Sequence, residues 1–255
     1  MQQLGGAALR ALTADRSLHY RGMRLWRGAQ RLPSFGPHLD ASVGEGEDLL
    51  TQRGAVDASA MRLLHSDPRL HGELAPADAR ERWVFEVLEQ LRAEAMVAGT
   101  LPGVASNLRR RFERWSLAFH HSGATQTEAG LLLYTALQVC RSRLTGQPVL
   151  AATEGLIEST RAALSTLLGP LVIALRGSRF DQAAYAQHAA QIAKIVARSL
   201  PQQDDGGQTS ARRGMSFSLW FDFDPADAST PAGVPTGDAR MPSDTQRRDR
   251  VFTTA

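Results

Sequence analysis

The sequence predicts an all-α protein: a bundle of about seven helices with a small extended or hairpin element near the N-terminus and a disordered C-terminal tail. Two observations carry this prediction. Apolar residues recur at helical spacing through most of residues 1–200, and the 255-residue chain is 43% apolar, enough to bury a sizeable core. Beyond residue 200 the composition shifts to Asp, Ser, Thr, Gly, Pro and Gln, which cannot offset the entropy of ordering. We therefore predict a helical domain at 1–200 and a low-complexity tail at 201–255.

The N-terminal part contains the predicted extended element. Residues 4–14 show a short helical pattern, and residues 18–25 are typical of a strand or hairpin with Gly22 at its irregular point. Residues 31–48, with two prolines and three glycines, indicate a surface loop. Helical spacing returns over residues 47–65.

The best-defined helix follows a break predicted at Asp67-Pro68, because a residue before proline is pushed out of the helical region. Pro76 and Asp78 supply its start signal, and Gly99 is its predicted C-terminal cap. Its apolar stripe consists of Val84, Val87, Leu88, Leu91 and Ala95.

The next helix has two distinct faces. Its predicted buried face consists of Leu108, Phe112, Trp115 and Phe119. Its predicted solvent face consists of Arg109, Arg110, Glu113 and Arg114. For Arg109–Arg111 as a run, we favour a solvated helix face over a grip on an acidic partner.

Residues 128–144 are apolar nearly all round, which is typical of the buried centre of a bundle, and Gly146 and Pro148 end this helix. Two or three more helices are predicted, at roughly 152–168, 170–176 and 181–199.

The tail contains one patterned segment, residues 215–224, in which Met215, Phe217, Leu219, Phe221 and Phe223 alternate with other residues. A period of two predicts a short strand. We favour a strand that folds back onto this protein; the alternative is a docking segment that extends a partner's sheet edge.

Several sequence motifs of known catalytic function are absent, and their absence excludes the corresponding activities. Lys194 is the only lysine and stands outside any Gly-x-x-x-x-Gly-Lys-Ser/Thr loop, so ATP hydrolysis of the P-loop type is excluded. No Cys-x-x-Cys, Gly-x-Ser-x-Gly or His-Glu-x-x-His motif occurs. No run of about 18 apolar residues and no secretory signal is evident, so we expect no membrane span. The single cysteine, Cys140, fits a reducing compartment and lies in the predicted buried helix, where a catalytic role is disfavoured. We expect a cytoplasmic location.

Four histidines are candidate ligands for cobalt or zinc: His65, His71, His120 and His121. Adjacent histidines on a helix point about 100° apart and do not easily share one ion. No nearby cysteine or paired carboxylate completes a ligand set. We favour capping and polar packing for these side chains, leave His19, His38 and His188 without a hypothesis, and predict no catalytic, cofactor-binding or metal-binding residues.

A family resemblance rests on an ordered set of short motifs between residues 53 and 108. The set consists of Arg53-Gly54-Ala55-Val56-Asp57, Met61-Arg62-Leu63-Leu64-His65, His71, Leu74-Ala75-Pro76, the run 85–95 and Gly103-Val104-Ala105-Ser106-Asn107-Leu108. Together these residues resemble the N-terminal region of CobT-type subunits of the aerobic cobaltochelatase, the complex that inserts cobalt into a corrin ring. The resemblance covers residues 5–150 closely and 150–200 loosely, and residues 250–255 are similar to the segment that introduces the family's C-terminal half.

The resemblance implies an assembly or coupling component of a ligase complex in cobalamin biosynthesis, non-catalytic by itself. It implies two partners, an AAA+ ATPase subunit and the large chelatase subunit, and it allows a homo-oligomer. The complex would use ATP, magnesium and cobalt, with none of them bound by this chain. Family members also carry a von Willebrand factor A-type domain with an Asp-x-Ser-x-Ser metal site. Neither Asp40-Ala41-Ser42 nor Asp57-Ala58-Ser59 completes that motif, so we expect this domain to be absent and the chain to be truncated.

Two other functions stay open. The chain could be a stand-alone protein-interaction or regulatory helical module without a chelatase role. A nucleic-acid binder using Arg109–Arg111 is the weaker alternative, since acidic residues are mixed among the basic ones, and it would require binding that falls steeply with salt.

Overall fold

The computed structural model describes residues 2–22, 24–39, 48–198 and 200, and within them the fold is a helical bundle with one small sheet. The eight helices are α1 Gln2–Thr13, α2 Leu49–His65, α3 Pro68–Leu74, α4 Ala79–Glu94, α5 Pro102–His121, α6 Glu128–Thr145, α7 Glu154–Gly177 and α8 Gln182–Ala197. The all-α prediction of about seven helices is confirmed, and the described residues contain eight. The strand predicted at 215–224 and the tail lie outside the described residues.

The predicted extended element is a three-stranded antiparallel sheet. Its strands are β1 Leu18–Arg21, β2 Arg24–Arg27 and β3 Gln30–Arg31, in the order β1-β2-β3. Leu18 lies opposite Arg27 in the first pair. Gly22 connects β1 to β2 with a φ of 61°, a conformation that glycine adopts without the steric cost of a Cβ. The hairpin is confirmed, and β3 is an addition to it.

Aspartate caps explain where several helices begin. The Asp48, Asp78 and Asp181 side chains each accept a hydrogen bond from the first-turn backbone of the helix that follows. Asp67 does the same for α3, accepting from the backbone N–H groups of Arg69 and Leu70. The predicted break at Asp67-Pro68 is therefore also a helix start, because proline is pre-organised for the first position of a helix. The sequence analysis missed α3 for this reason.

Two predicted helix boundaries are wrong. The helix α4 ends at Glu94, five residues before the expected cap at Gly99. The predicted break between residues 168 and 170 does not exist, since α7 continues through Pro170. A proline in a helix interior removes one backbone donor and strains the preceding turn. Pro170 and Thr166, whose carbonyl loses its helical donor, are both exposed, so water can replace the lost bond.

The apolar interior has two parts. The larger cluster lies among α4, α5, α6, α7 and α8, and the smaller one joins α1 and the sheet to α2 and the start of α5. The predicted inner face of α5 is confirmed, because Leu108, Phe112, Trp115 and Phe119 are all buried. The helix α6 is largely buried as predicted, but α4 is the more central element: it packs against α2, α6 and α8 and is buried on every side from residue 84 to 94.

Candidate functional site

The central helix α4 carries a buried network of charged side chains. Burial of an unpaired charge is strongly unfavourable, so each of these groups requires a partner. The buried polar residues of α4 are Glu86, Glu89, Gln90, Arg92 and Glu94, all at most 7% exposed. Their partners come from α4 itself, from α2, from α3, from the segment before α2 and from the residues that follow α7.

Glu86 lies between an arginine of α2 and a histidine of α3. Its Oε2 accepts a hydrogen bond from Arg62 Nη2 at 2.9 Å, and its Oε1 is in close contact with His71 Nε2. The His71 ring also stacks on Phe85, with ring centroids 4.8 Å apart. Burial alone would raise the pKa of the Glu86 carboxyl, but Arg62 and His71 outweigh burial and lower it. Glu86 is therefore held ionised in the interior.

Glu89 and Arg92 form a second pair, one turn further along α4. The Arg92 guanidinium donates from Nη2 to Glu89 Oε1 at 2.7 Å and from Nε to Oε2 at 2.8 Å, a bidentate arrangement. It also donates to the backbone carbonyls of His65 at 2.5 Å and Arg179 at 3.2 Å. Ser66 completes the set by donating its hydroxyl to Glu89. This pair ties the end of α2 and the end of α7 to α4.

Glu94 is paired with the loop that precedes α2. Its Oε1 lies 2.6 Å from His38 Nε2 and accepts from Gln90 Nε2 at 3.0 Å. Gln90 also donates to the Ala58 carbonyl at 3.1 Å, and Arg111 Nε donates to the His38 carbonyl at 2.5 Å. Arg111 is only 1% exposed, so the prediction that it shares a solvated face with Arg109 is wrong in its case. Its position on α5 turns it inward beside Phe112.

A cavity of about 190 Å³ adjoins Glu94, between the end of α4 and the helices α5 and α6. It is lined by Glu94, Ala95, Val97, Ala105, Leu108, Arg141, Thr145 and Gln147. Arg141 Nη2 donates to Gln147 Oε1 at 2.6 Å, and its guanidinium carbon lies 4.2 Å from the centre of the Phe112 ring. Burial lowers the pKa of Arg141, whereas Glu94 opposes that shift. The cavity is thus a polar notch at the end of the α4 network, with its carboxylate already bound to His38.

The motifs that carry the family resemblance hold α2 against α5. Asp57 is fully buried and accepts hydrogen bonds from Arg53 Nε at 2.6 Å and Asn107 Nδ2 at 2.8 Å. Gly54 lies so close to α5 that a Cβ placed on it would be 2.5 Å from the Asn107 carbonyl oxygen. Residues 53–57 and 103–108 are therefore two sides of one close helix crossing. The spacing of these residues is set by packing and hydrogen bonding.

The histidines weighed as metal ligands occupy different surroundings. His71 pairs with Glu86, and His120 Nδ1 lies 2.8 Å from the Thr125 hydroxyl. Burial, and then Arg92, lowers the pKa of His65. Within the described residues, no group of three or more His, Cys, Asp or Glu side chains is arranged to hold a metal ion. The buried carboxylates of α4, Glu86, Glu89 and Glu94, do not fit a magnesium site either, because arginine or histidine already binds each of them.

Cys140 is buried in α6, as predicted, and burial raises the pKa of its thiol to about 12. The thiolate that nucleophilic chemistry needs is scarce at neutral pH in such surroundings.

In the part of the chain that the structure describes, one helical stretch, Ala151–Gly177, is long and apolar enough to cross a membrane by length and composition, with a mean hydropathy of 1.3 in its most apolar window. Core helices of soluble proteins pass the same test, so this is weak evidence. Only 22% of that window is buried within the protein. Because polar residues interrupt this stretch, a criterion of uninterrupted apolar runs does not find it.

Within the described residues the protein is an all-α helical bundle whose central charges are paired with one another. The family model described as cobalamin biosynthesis protein CobT matches residues 7–211, and the chain therefore belongs to the CobT family. The family resemblance is confirmed, and membership gives the chain a role in cobalamin biosynthesis, in a cobaltochelatase-type complex. No solved structure matches the chain.

The sequence analysis did not identify the buried network. Glu86, Glu89, Arg92 and Glu94 all lie within the run 85–95 that contributed to the resemblance, yet a charged helix face ordinarily indicates solvent. One signal for burial was available in the sequence: these acidic residues directly adjoin the apolar stripe of α4, in a region that is otherwise apolar. Their partners, such as His38, are too far away in sequence to be assigned from spacing.

Proposed function

We propose that this chain is an assembly and coupling component of an ATP-dependent cobaltochelatase and is non-catalytic by itself. The observation that carries the proposal is the CobT family match over residues 7–211. The motif residues within that match serve helix packing and internal ion pairing, as Asp57 and Glu86 show. This arrangement is expected of a structural subunit that contributes a stable fold to a complex.

The buried network supports a coupling role. Truncating one member of a buried ion pair leaves an uncompensated charge, so the relative positions of the paired helices are closely specified. Through Arg62, His71 and Arg92, the helix α4 is bound to α2, to α3 and to the end of α7. A domain built in this way moves as one body and can transmit a displacement from one partner to another.

The proposed partners are the AAA+ ATPase subunit and the large chelatase subunit. In this scheme the ATPase subunit hydrolyses ATP with magnesium, and the large subunit inserts cobalt, the substrate ion, into the corrin ring. The chain contributes contacts to both, in the cytoplasm. It performs no covalent step, which agrees with a carboxylate set already bound by arginine and histidine.

The test is reconstitution of the complex from separately purified subunits. With ATP present, the chain should co-elute with the ATPase and large subunits, and cobalt insertion, followed by the absorbance of the corrin, should depend on it. The chain after heat unfolding serves as the control. An insertion rate that is the same with and without the folded chain would overturn the proposal.

The second candidate is a stand-alone interaction module without a chelatase role. The exposed apolar residues of α7 favour it, since Leu167 and Ile173 are available for contacts unrelated to cobalt chemistry. The same reconstitution separates the two: a folded chain that neither co-elutes with the subunits nor affects insertion supports the stand-alone module.

A further inference from the structure

The arginine that lines the cavity beside Glu94 is buried without a carboxylate bound to it. Arg141 is only 5% exposed, and its guanidinium donates a hydrogen bond to Gln147 and lies over the Phe112 ring. Within the described residues, its Nε has no hydrogen-bond partner. A buried cation ordinarily has an anionic partner, because removing a charge from water is strongly unfavourable. Arg141 can therefore accept a negatively charged group.

The carboxylate of Glu94 is already matched by another charge. Its Oε1 lies 2.6 Å from His38 Nε2. Burial alone would raise the pKa of this carboxyl, but its contact with His38 lowers it. Glu94 and Glu113 attract Arg141 from a longer distance, and Arg109 opposes them. The positive charge of Arg141 is therefore the one on the cavity wall that lacks a direct partner among the described residues.

A second hydrogen-bond donor stands beside Arg141. The side-chain oxygen of Gln147 accepts from Arg141 Nη2 at 2.6 Å, which leaves the Nε2 group as the donor end of that amide. The rest of the wall is largely apolar and is formed by Ala95, Val97, Ala105 and Leu108. A ligand that matches this wall has one anionic end and one apolar end.

The size of the cavity limits the ligand. Its volume is about 190 Å³. For comparison, a protein cavity of about 150 Å³ holds benzene, which has six non-hydrogen atoms. A four-carbon carboxylic acid also has six. Val97, Ala105 and Gln147 are partly exposed, so the cavity opens to solvent and such a molecule can enter without separation of the helices.

We propose that this cavity, the Arg141 cavity, binds a short-chain monocarboxylic acid of about three to five carbons. The carboxylate accepts hydrogen bonds from the Arg141 guanidinium and the Gln147 amide, and the alkyl chain packs on Val97 and Leu108. This inference stands independently of the chelatase role, since it concerns a ligand of the isolated chain. A molecule of this size makes few contacts, so we expect a dissociation constant of about 1 mM.

The first experiment is isothermal titration calorimetry of the full 255-residue chain with sodium butyrate at constant ionic strength. Butyramide, which has the same shape without the charge, is the matched ligand control. It should bind about 10-fold more weakly than butyrate, because a charged acceptor makes the stronger hydrogen bonds to a guanidinium. In NMR spectra, butyrate should shift the methyl resonances of Val97 and Leu108 and leave those of Leu4, which is 71% exposed on α1, unchanged.

Two pairs of variants test the site. Arg141→Gln should raise the dissociation constant for butyrate by about 10-fold or more, whereas Arg143→Gln, at an exposed position of the same helix, should leave it unchanged. Ala105→Leu fills the cavity and retains Arg141, so it should abolish binding. Its control is Ser106→Leu, at the next position of α5, which is exposed and does not line the cavity. Circular dichroism establishes that each variant is folded, and Ala105→Leu decides the question if Arg141→Gln is not.

The proposal is overturned if butyrate produces neither heat nor methyl shifts up to about 50 mM. It is also overturned if butyramide binds as well as butyrate, or if folded Ala105→Leu binds like the parent. The tripeptide Gly-Glu-Gly tests a carboxylate from another source. If it shifts Val97 and Leu108 where butyrate does not, the cavity belongs to an acidic side chain of a protein partner, and the assignment to a small acid is wrong.

Discussion

Replacing Gly54 by alanine provides a direct test of the close crossing between α2 and α5. A Cβ at this position would lie 2.5 Å from the Asn107 carbonyl oxygen and 2.7 Å from Arg111 Cβ. Both distances are well inside van der Waals contact, and the nearer atom belongs to the backbone of α5. The two helices must separate to accept even one methyl group.

The expected loss of stability follows from three contributions. Overpacking of this kind costs about 1–3 kcal/mol. Separation of the helices also stretches the 2.8 Å hydrogen bond from Asn107 to the buried Asp57, worth about 1 kcal/mol. Alanine returns about 1 kcal/mol through its higher helix propensity. We expect Gly54→Ala to lower the free energy of unfolding by about 1–3 kcal/mol.

The measurement is guanidinium denaturation followed by circular dichroism, with Gly72→Ala as the matched control. Gly72 also lies in a helix, but no heavy atom comes within 4 Å of a Cβ built on it. That variant should be about 0.5–1 kcal/mol more stable than the parent. If Gly54→Ala is as stable as Gly72→Ala, α2 and α5 do not approach in the way described, and the packing role of residues 53–57 is refuted.

Three further predictions concern buried ionisable groups. Glu86→Gln should destabilise the protein by about 3–5 kcal/mol in the same denaturation experiment, because Arg62 is left buried without its carboxylate. The control is Glu73→Gln, at an exposed ion pair, which should change stability little. Because the folded-state pKa of Glu86 is lowered, its stabilising contribution is present above the ordinary glutamate pKa near 4.5 and is lost as pH falls below that value. Unfolding measured from pH 6 to pH 3 should show this decline in the parent and a shallower one in Glu86→Gln; identical slopes would contradict it. Finally, the Cys140 thiol, with a pKa of about 12, should resist a thiol-specific reagent at pH 8 until denaturant is added. Rapid labelling of the native protein would show that the interior of α6 is accessible.

Several elements of this fold could be predicted from the sequence because local chemistry specifies them. The start of α4 depends on Asp78, whose side chain accepts hydrogen bonds from the backbone N–H groups two and three residues further along the chain. The end of α6 depends on Gly146, whose φ of 75° lies in the left-handed region that favours glycine. The inner face of α5 follows from an apolar period that matches the helix.

The tertiary structure alone decided the character of α4 and α7. Glu86 and Glu94 of α4 have the pattern of a solvated face, and they are buried because Arg62, His71 and His38 are brought to them from other segments. Glu94 and His38 are 56 residues apart, a separation that carries no periodic signal. In the same way, Pro170 predicts a helix end, yet α7 continues through it because the strained turn faces solvent and the inner side is fixed by α6 and α8. Local sequence sets some helix ends, as at Asp78 and Gly146, whereas the pairing of buried charges and the choice of exposed faces depend on contacts between distant parts of the chain.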